Sequence, residues 1–70
     1  MSKLYSSKDI IKVLQKQGFV YVSQKGSHAK FRKNGNPTLI AIVPNGKKEI
    51  PLGTFRSILR QANLSESAFG

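Results

Sequence analysis

Two segments with helical apolar spacing flank a stretch of β-type sequence, and this arrangement limits the chain to few folds. The apolar positions of the first segment are Ile10, Ile11, Val13 and Leu14. Ser6 and Asp9 just before them form a capping-box pattern, and Gly18 just after them can close a helix through a left-handed residue. The pattern predicts a first helix over about residues 7–17.

A second helix is predicted near the C-terminus. Its apolar residues, spaced i, i+3, i+4 and i+7, are Phe55, Ile58, Leu59 and Ala62. Thr54 precedes them as a candidate N-cap, and we expect the helix to end near Asn63. Two amphipathic helices in so short a chain need a common partner on which to bury their apolar faces.

The sequence between the helices predicts three strands. Their expected bounds are Phe19–Gln24, His28–Lys33 and Thr38–Val43. Lys25–Ser27 is short enough for a hairpin loop, the cluster Lys33–Pro37 is a strong turn signal, and Pro44 is expected to end the third strand. The strands therefore form an antiparallel meander.

The predicted fold class is α+β, with the order helix, three-stranded antiparallel sheet, helix. Both helices are expected to cover one face of the sheet and to leave the other open. Alternation along the second strand points Ala29 and Phe31 inward and His28, Lys30 and Arg32 toward solvent. The open face is therefore expected to be basic.

The size of the chain predicts one domain over residues 1–70, with a core of about 6–64 and a short tail at 65–70. A chain of 70 residues buries only about 60% of its unfolded surface, and it has no cysteine for disulfide support. The N-terminus lacks an apolar signal region, and no segment has the roughly 18 apolar residues of a membrane span. A cytoplasmic protein without membrane attachment is expected.

The charge indicates the class of partner. The chain has twelve Lys and Arg residues but only three Asp and Glu residues, which gives a net charge of +9. Such a charge is typical of a protein that binds a polyanion or is held against an acidic protein.

The few chemically active residues narrow the possible reactions. With one histidine, three carboxylates and no cysteine, neither a metal centre nor a cofactor is expected. A Ser-His-Asp triad is not supported, because no carboxylate is placed in the sequence to orient the imidazole. Motifs of zinc proteases and P-loops are absent.

One segment can carry chemistry on RNA. Its residues are Lys25, Gly26, Ser27, His28, Lys30 and Arg32. RNA supplies its own nucleophile, the 2′-hydroxyl, so cleavage needs only a base with a pKa of about 6.5 and cations to stabilise the phosphate. His28 is the candidate general base or acid, and the surrounding residues, with Lys47 and Lys48, are candidate substrate contacts.

Other interpretations of the same residues remain open. A lone exposed histidine is usually an ordinary surface residue, and a basic face can bind RNA without cleaving it. The alternative function is therefore a non-catalytic RNA-binding module that uses the same face. Phe19 and Tyr21 are candidates either for base stacking or for the core.

A longer pattern extends over most of the chain, in the segments Gly18-Phe19, Gln24–Phe31, Val43-Pro44 and Lys48–Ala62. Through these segments the chain resembles the HicA toxins of bacterial HicA and HicB toxin–antitoxin systems over roughly residues 6–64. The resemblance implies a fold like that of double-stranded-RNA-binding domains and the activity of an mRNA interferase, an endoribonuclease that arrests translation. It also implies that His28 is the essential histidine, that Gly26 and Ser27 belong to the site, and that a HicB-like antitoxin binds over the active face.

The chain departs from the commoner family pattern at two positions. Many members carry a second histidine where this chain has Ala29, and a further one where it has Asn45. A second imidazole is thus missing as a general acid, and Lys25, Lys30 or water must protonate the leaving 5′-oxygen.

Overall fold

The computed structural model describes residues 4–69. Its elements are α1 (Ser7–Lys16), β1 (Val20–Lys25), β2 (His28–Lys33), β3 (Leu39–Pro44), α2 (Leu52–Ala62) and a C-terminal 3-10 turn (Glu66–Phe69). The predicted order of helix, three antiparallel strands and helix is confirmed. The first three residues of the predicted domain 1–70, and Gly70 at the end of the predicted tail, lie outside the described residues.

The capping box predicted at the start of α1 is present. The Oγ of Ser6 accepts a hydrogen bond from the backbone N–H of Asp9 at 3.1 Å, and the Asp9 carboxylate accepts one from the Ser6 N–H at 3.3 Å. The helix ends at Lys16, one residue before the predicted end, and Gly18 follows with φ +96°. A glycine adopts this left-handed conformation without the steric cost of a Cβ.

The predicted start of α2 is wrong by three residues. Thr54 lies inside the helix, which begins at Leu52 with Pro51 as its N-cap. The carbonyl of Pro51 accepts a hydrogen bond from the Phe55 N–H at 2.9 Å and so closes the first turn before Thr54. A proline can precede a helix because the N–H that it lacks has no partner within a helix start. The end near Asn63 is confirmed, since Asn63 is left-handed with φ 55°.

The sheet has the strand order β1-β2-β3, with both pairs antiparallel. The strand β2 has the predicted bounds, whereas β1 and β3 each lie one residue later than predicted, so that Pro44 belongs to β3. The register of β1 against β2 shifts between Tyr21 and Ser23, which leaves Val22 as a bulge.

The core lies between the helices and one face of the sheet, as predicted. Its buried residues are Ile10, Leu14, Phe19, Ala29, Phe31, Ala41, Val43, Ile50, Phe55, Ile58, Leu59 and Ala62. Ala29 and Phe31 point into it, while His28, Lys30 and Arg32 on the same strand are exposed. Each large apolar side chain in this core contributes about 1.5–3 kcal/mol through its removal from water.

The predicted tail folds back onto the domain. Its 3-10 turn brings the ring of Phe69 to 5.0 Å from both Tyr5 and Phe55, measured between ring centroids. Tyr5 and Phe55 are themselves 5.2 Å apart. Three mutually packed rings thus tie both ends of the described chain to α2.

Candidate active site on the open sheet face

The face of the sheet opposite the helices presents the side chains of β2 between those of its neighbours. Three cross-strand rows cover it: Lys25, His28 and Pro44; Ser23, Lys30 and Ile42; and Val20, Arg32 and Ile40. The pleat places alternate residues of β2 on the same face, so that the imidazole, the ammonium and the guanidinium follow one another along one strand.

A shallow depression in this face collects the predicted imidazole and two predicted cations. Lys25, His28 and Lys30 line it together with Ser23 and Ile42. All three predicted residues are exposed, which leaves the imidazole accessible to a large substrate. A proton-transfer group flanked by two ammonium groups is suited to acid–base chemistry on a phosphodiester.

Arg32 lies on the same face but outside this depression. It pairs with Val20 and Ile40, one row beyond Lys30 along β2. Its guanidinium therefore extends the basic surface along the strand and does not line the histidine depression.

Gly26 and Ser27 form the tip of the β1–β2 hairpin, next to the histidine. Gly26 has φ +60°, a conformation that favours glycine, and no atom lies within 4 Å of the position a Cβ would take there. Both residues line a second depression with Gln24, Asn45 and Gly46. The hairpin tip thus offers open backbone close to His28.

Two amide side chains that the sequence analysis did not single out as site residues hold this tip in place. Asn45 donates to the Oε1 of Gln24 at 3.1 Å, and Gln24 donates to the carbonyl of Gly26 at 3.1 Å. The backbone N–H of Asn45 also donates to the carbonyl of Ser27 at 2.6 Å. These bonds connect the β1–β2 hairpin to the loop after β3. His28 begins the strand that lies between β1 and β3.

Lys47 and Lys48 lie apart from the histidine depression. They line a third depression at the start of α1, with Ser6, Ser7 and Lys8, and Asn45 and Gly46 border it as well. The structure therefore brings Lys25, Lys30 and His28 together, whereas Lys47 and Lys48 belong to a separate basic area beyond the hairpin tip.

Ser7 fixes the loop that carries these lysines and was missed by the sequence analysis. It is buried, its Oγ donates to the Pro44 carbonyl at 2.6 Å, and the same Oγ accepts from the Lys47 N–H at 3.0 Å. The Ser7 N–H donates to the Lys47 carbonyl at 3.0 Å. No sequence signal separates Ser7 from an ordinary first-turn serine, because its partners are distant in the chain.

A larger depression lies on α2, away from the histidine. Arg56, Leu59, Arg60, Asn63 and Leu64 line it. It offers two guanidinium groups but no group that exchanges a proton near neutral pH. It is therefore a basic surface rather than a candidate for the chemistry.

Burial distinguishes the two aromatic residues for which base stacking and core packing were both open. Phe19 is 2% exposed and belongs to the core. Tyr21 is exposed, and its ring packs edge-on against Phe31 with 5.9 Å between the centroids. Tyr21 projects from β1 on the face opposite His28, because its cross-strand partner Phe31 points into the core.

Comparison with known protein families shows to which family the chain belongs. The family described as HicA toxin of bacterial toxin-antitoxin matches residues 7–64, which is most of the chain. The chain belongs to the HicA toxin family. A comparison with curated proteins found no match. The resemblance based on the Gly-Ser-His segment and the α2 segment is thus confirmed, and so is a toxin role that is paired with a cognate antitoxin.

The fold of this HicA toxin agrees with its predicted α+β class. Its Gly26-Ser27-His28 segment forms the hairpin tip and the start of β2. Within residues 4–69, no helix has both the length and the apolar character needed to span a membrane.

Proposed function

We propose that this HicA toxin is a metal-independent endoribonuclease that cleaves mRNA and so arrests translation. The observation that carries the proposal is the depression on the open sheet face, which His28 lines together with Lys25 and Lys30. The net charge of +9 and the exposed basic residues of β2 favour a polyanionic substrate.

In the proposed reaction, His28 accepts the proton of a ribose 2′-hydroxyl. The 2′-oxygen attacks the adjacent phosphorus, the bond from phosphorus to the 5′-oxygen breaks, and the products are a 2′,3′-cyclic phosphate and a 5′-hydroxyl. Lys25 and Lys30 stabilise the charge on the non-bridging oxygens, and Arg32 binds a neighbouring phosphate along the strand.

The leaving 5′-oxygen needs a proton, and the chain has no second imidazole to supply one. Asn45 stands at the position where many HicA toxins have a histidine, and its amide is engaged with Gln24 and Gly46. Lys25, Lys30 or water therefore delivers the proton. Gly26 and Ser27 contribute an accessible backbone and a hydroxyl for a phosphate beside the scissile bond.

Lys47 and Lys48 are proposed as more distant phosphate contacts. They border the depression at the start of α1, which adjoins the hairpin tip through Asn45 and Gly46. An RNA strand that crosses the tip reaches this second basic area. The cytoplasm, where mRNA is translated, is the proposed site of action, and the cognate antitoxin controls the activity.

The decisive experiment incubates the purified toxin with single-stranded RNA in EDTA. Fragments that end in a 2′,3′-cyclic phosphate are the expected result. Intact RNA with a retarded electrophoretic mobility would instead support the non-catalytic RNA-binding module, and cleavage that requires added Mg²⁺ would contradict the proposed mechanism. The His28→Ala variant, purified in parallel, controls for contaminating nucleases.

A further inference from the structure

One edge of the sheet is covered and the other is open. At the β3 edge, the side chain of Gln61 on α2 accepts a hydrogen bond from the Ile42 N–H at 2.8 Å. At the opposite edge, β1 pairs with β2 alone, and none of residues 4–69 forms a further strand beside it. All six residues of β1, Val20–Lys25, are exposed. An open edge of this length is a template for pairing with another strand.

The hydrogen-bond pattern between the strands determines which backbone groups of β1 face outward and are open to a docked strand. Because the Ile42 N–H points away from β2, its partner Lys30 directs its own backbone groups toward β1. The residues on either side of Lys30, Ala29 and Phe31, direct their backbone groups toward β3 instead. Their β1 partners Gln24 and Tyr21 therefore direct theirs outward, away from the sheet, and the bulge at Val22 explains why two residues three positions apart both do so. These two residues present hydrogen-bonding groups that a docked strand can pair with.

The side chains along this edge are apolar in the middle and basic at the ends. Val20 is 55% exposed, Tyr21 56% and Val22 38%. Lys25 closes one end of the strand, and the stem of Lys33 lies beside Gly18 just before the other end. Val20 projects on the open face and Tyr21 on the opposite face, so a strand docked on this edge meets an apolar side chain on each of its faces.

The charges decide between the possible occupants. A second copy of the chain, paired antiparallel along β1, would place lysines near lysines at both ends, and each copy carries +9. RNA has no peptide groups to continue the ladder. A protein strand with apolar residues at its centre and carboxylates at its ends matches both the backbone groups and the charge pattern.

We propose that the cognate antitoxin docks an extended, acidic-flanked strand along the β1 edge and so continues the toxin's sheet. The inference deepens the proposed function by naming the docking surface, and it rests on that function for the identity of the partner. Ser23 and Lys25 of β1 also line the histidine depression, so a strand on this edge lies beside the candidate active site. Docking there brings the antitoxin's carboxylates close to Lys25.

The test is amide hydrogen exchange, resolved by residue, on the toxin alone and in its complex with the antitoxin. The N–H groups of Tyr21 and Gln24 are expected to exchange at least about tenfold more slowly in the complex. If both exchange equally fast in the two samples, edge pairing is wrong. Failure to form any complex overturns the proposal too.

A variant pair tests the same surface by affinity. Val22→Glu adds a carboxylate to the edge and is expected to weaken antitoxin binding about tenfold or more. Leu4→Glu changes an exposed apolar residue outside the sheet and is expected to alter binding less than about twofold. Equal effects of the two variants would contradict the proposal, and thermal unfolding establishes that both are folded.

The outcomes separate this inference from the nuclease proposal. Protected Tyr21 and Gln24 amides together with intact RNA support the docking edge and refute the nuclease. Cleaved RNA together with unprotected amides supports the nuclease and refutes the docking edge. A dimer of the toxin alone that protects these amides would assign the edge to a second copy and overturn the inference, as would their protection by RNA in the absence of antitoxin.

Discussion

The side chains of Asn45 and Gln24 are joined by a hydrogen bond of 3.1 Å between Nδ2 and Oε1, although 21 residues separate them in the sequence. Gln24 continues the connection to the Gly26 carbonyl, and the Asn45 Oδ1 accepts from the Gly46 N–H at 2.9 Å. Each amide therefore uses both its donor and its acceptor. The pair holds the hairpin tip, and with it the start of β2 at His28, against the loop after β3.

Loss of this connection is expected to reduce cleavage more than stability. The bonds are exposed, so Asn45→Ala should lower the free energy of unfolding by only about 0.5–1 kcal/mol. RNA cleavage should fall about tenfold, since a displaced hairpin moves the imidazole relative to the phosphate. Single-turnover cleavage and thermal unfolding measure the two effects. Asn34→Ala, in the turn between β2 and β3, serves as the matched control.

A double-mutant cycle shows whether the two amides act as a unit. Gln24→Ala alone and Asn45→Ala alone should each cost nearly as much cleavage activity as the double variant, because either change breaks the shared bond. Additive losses in the double variant would mean that the two amides act independently on the site.

The local features of the fold were predictable from short-range sequence patterns. Ser6 and Asp9 are three residues apart and form the expected capping box. The alternation on β2 placed Phe31 in the core and His28 in solvent, as the structure confirms. Such patterns work because each depends on the backbone of one element and on the contrast between apolar and charged side chains.

The connections around the candidate site were not predictable in the same way. The bond between Asn45 and Gln24, and the contacts of Ser7 with residues 37 and 40 positions away, arise only when loops meet in the folded chain. Asparagine, glutamine and serine are also common in turns and at helix starts. Their sequence positions alone therefore do not reveal these partners. The start of α2 was mispredicted because Thr54 and Pro51 are both suitable before a helix.

Ser7 is expected to be the most sensitive of the polar side chains for stability. Ser7→Ala leaves the Pro44 carbonyl and the Lys47 N–H without the hydroxyl that joins them, at a position where the side chain is only 2% exposed. The free energy of unfolding should fall by about 1–3 kcal/mol, and the melting temperature by roughly 4–8 °C for each of these kcal/mol. Calorimetry or thermal circular dichroism measures the change. Ser65→Ala, at an exposed serine, should stay within about 0.5 kcal/mol of the wild type, and equal effects would contradict the role given to Ser7.

His28→Ala is expected to remove function without unfolding the protein. The imidazole is exposed on the open face, so its loss should change the free energy of unfolding by less than about 0.5 kcal/mol. RNA cleavage should fall by at least about 100-fold, the usual contribution of a general base, and induction should no longer arrest growth. Lys12→Ala on α1 is the surface control. A folded His28→Ala variant that still cleaves RNA would refute the catalytic assignment.

Binding of RNA is expected to depend on salt in proportion to the number of phosphates contacted. For single-stranded RNA, the logarithm of the binding constant should fall with the logarithm of salt concentration at a slope of about −0.7 per contact. Lys30→Gln, in the His28→Ala background that prevents cleavage, should make this slope shallower by about 0.7. Lys12→Gln removes the same charge from a helix on the other face of the sheet and should leave the slope unchanged. Fluorescence anisotropy over a salt series measures the slope for each variant. An equal change in the two slopes would show that RNA binding depends only on the total charge and that the RNA does not lie along β2.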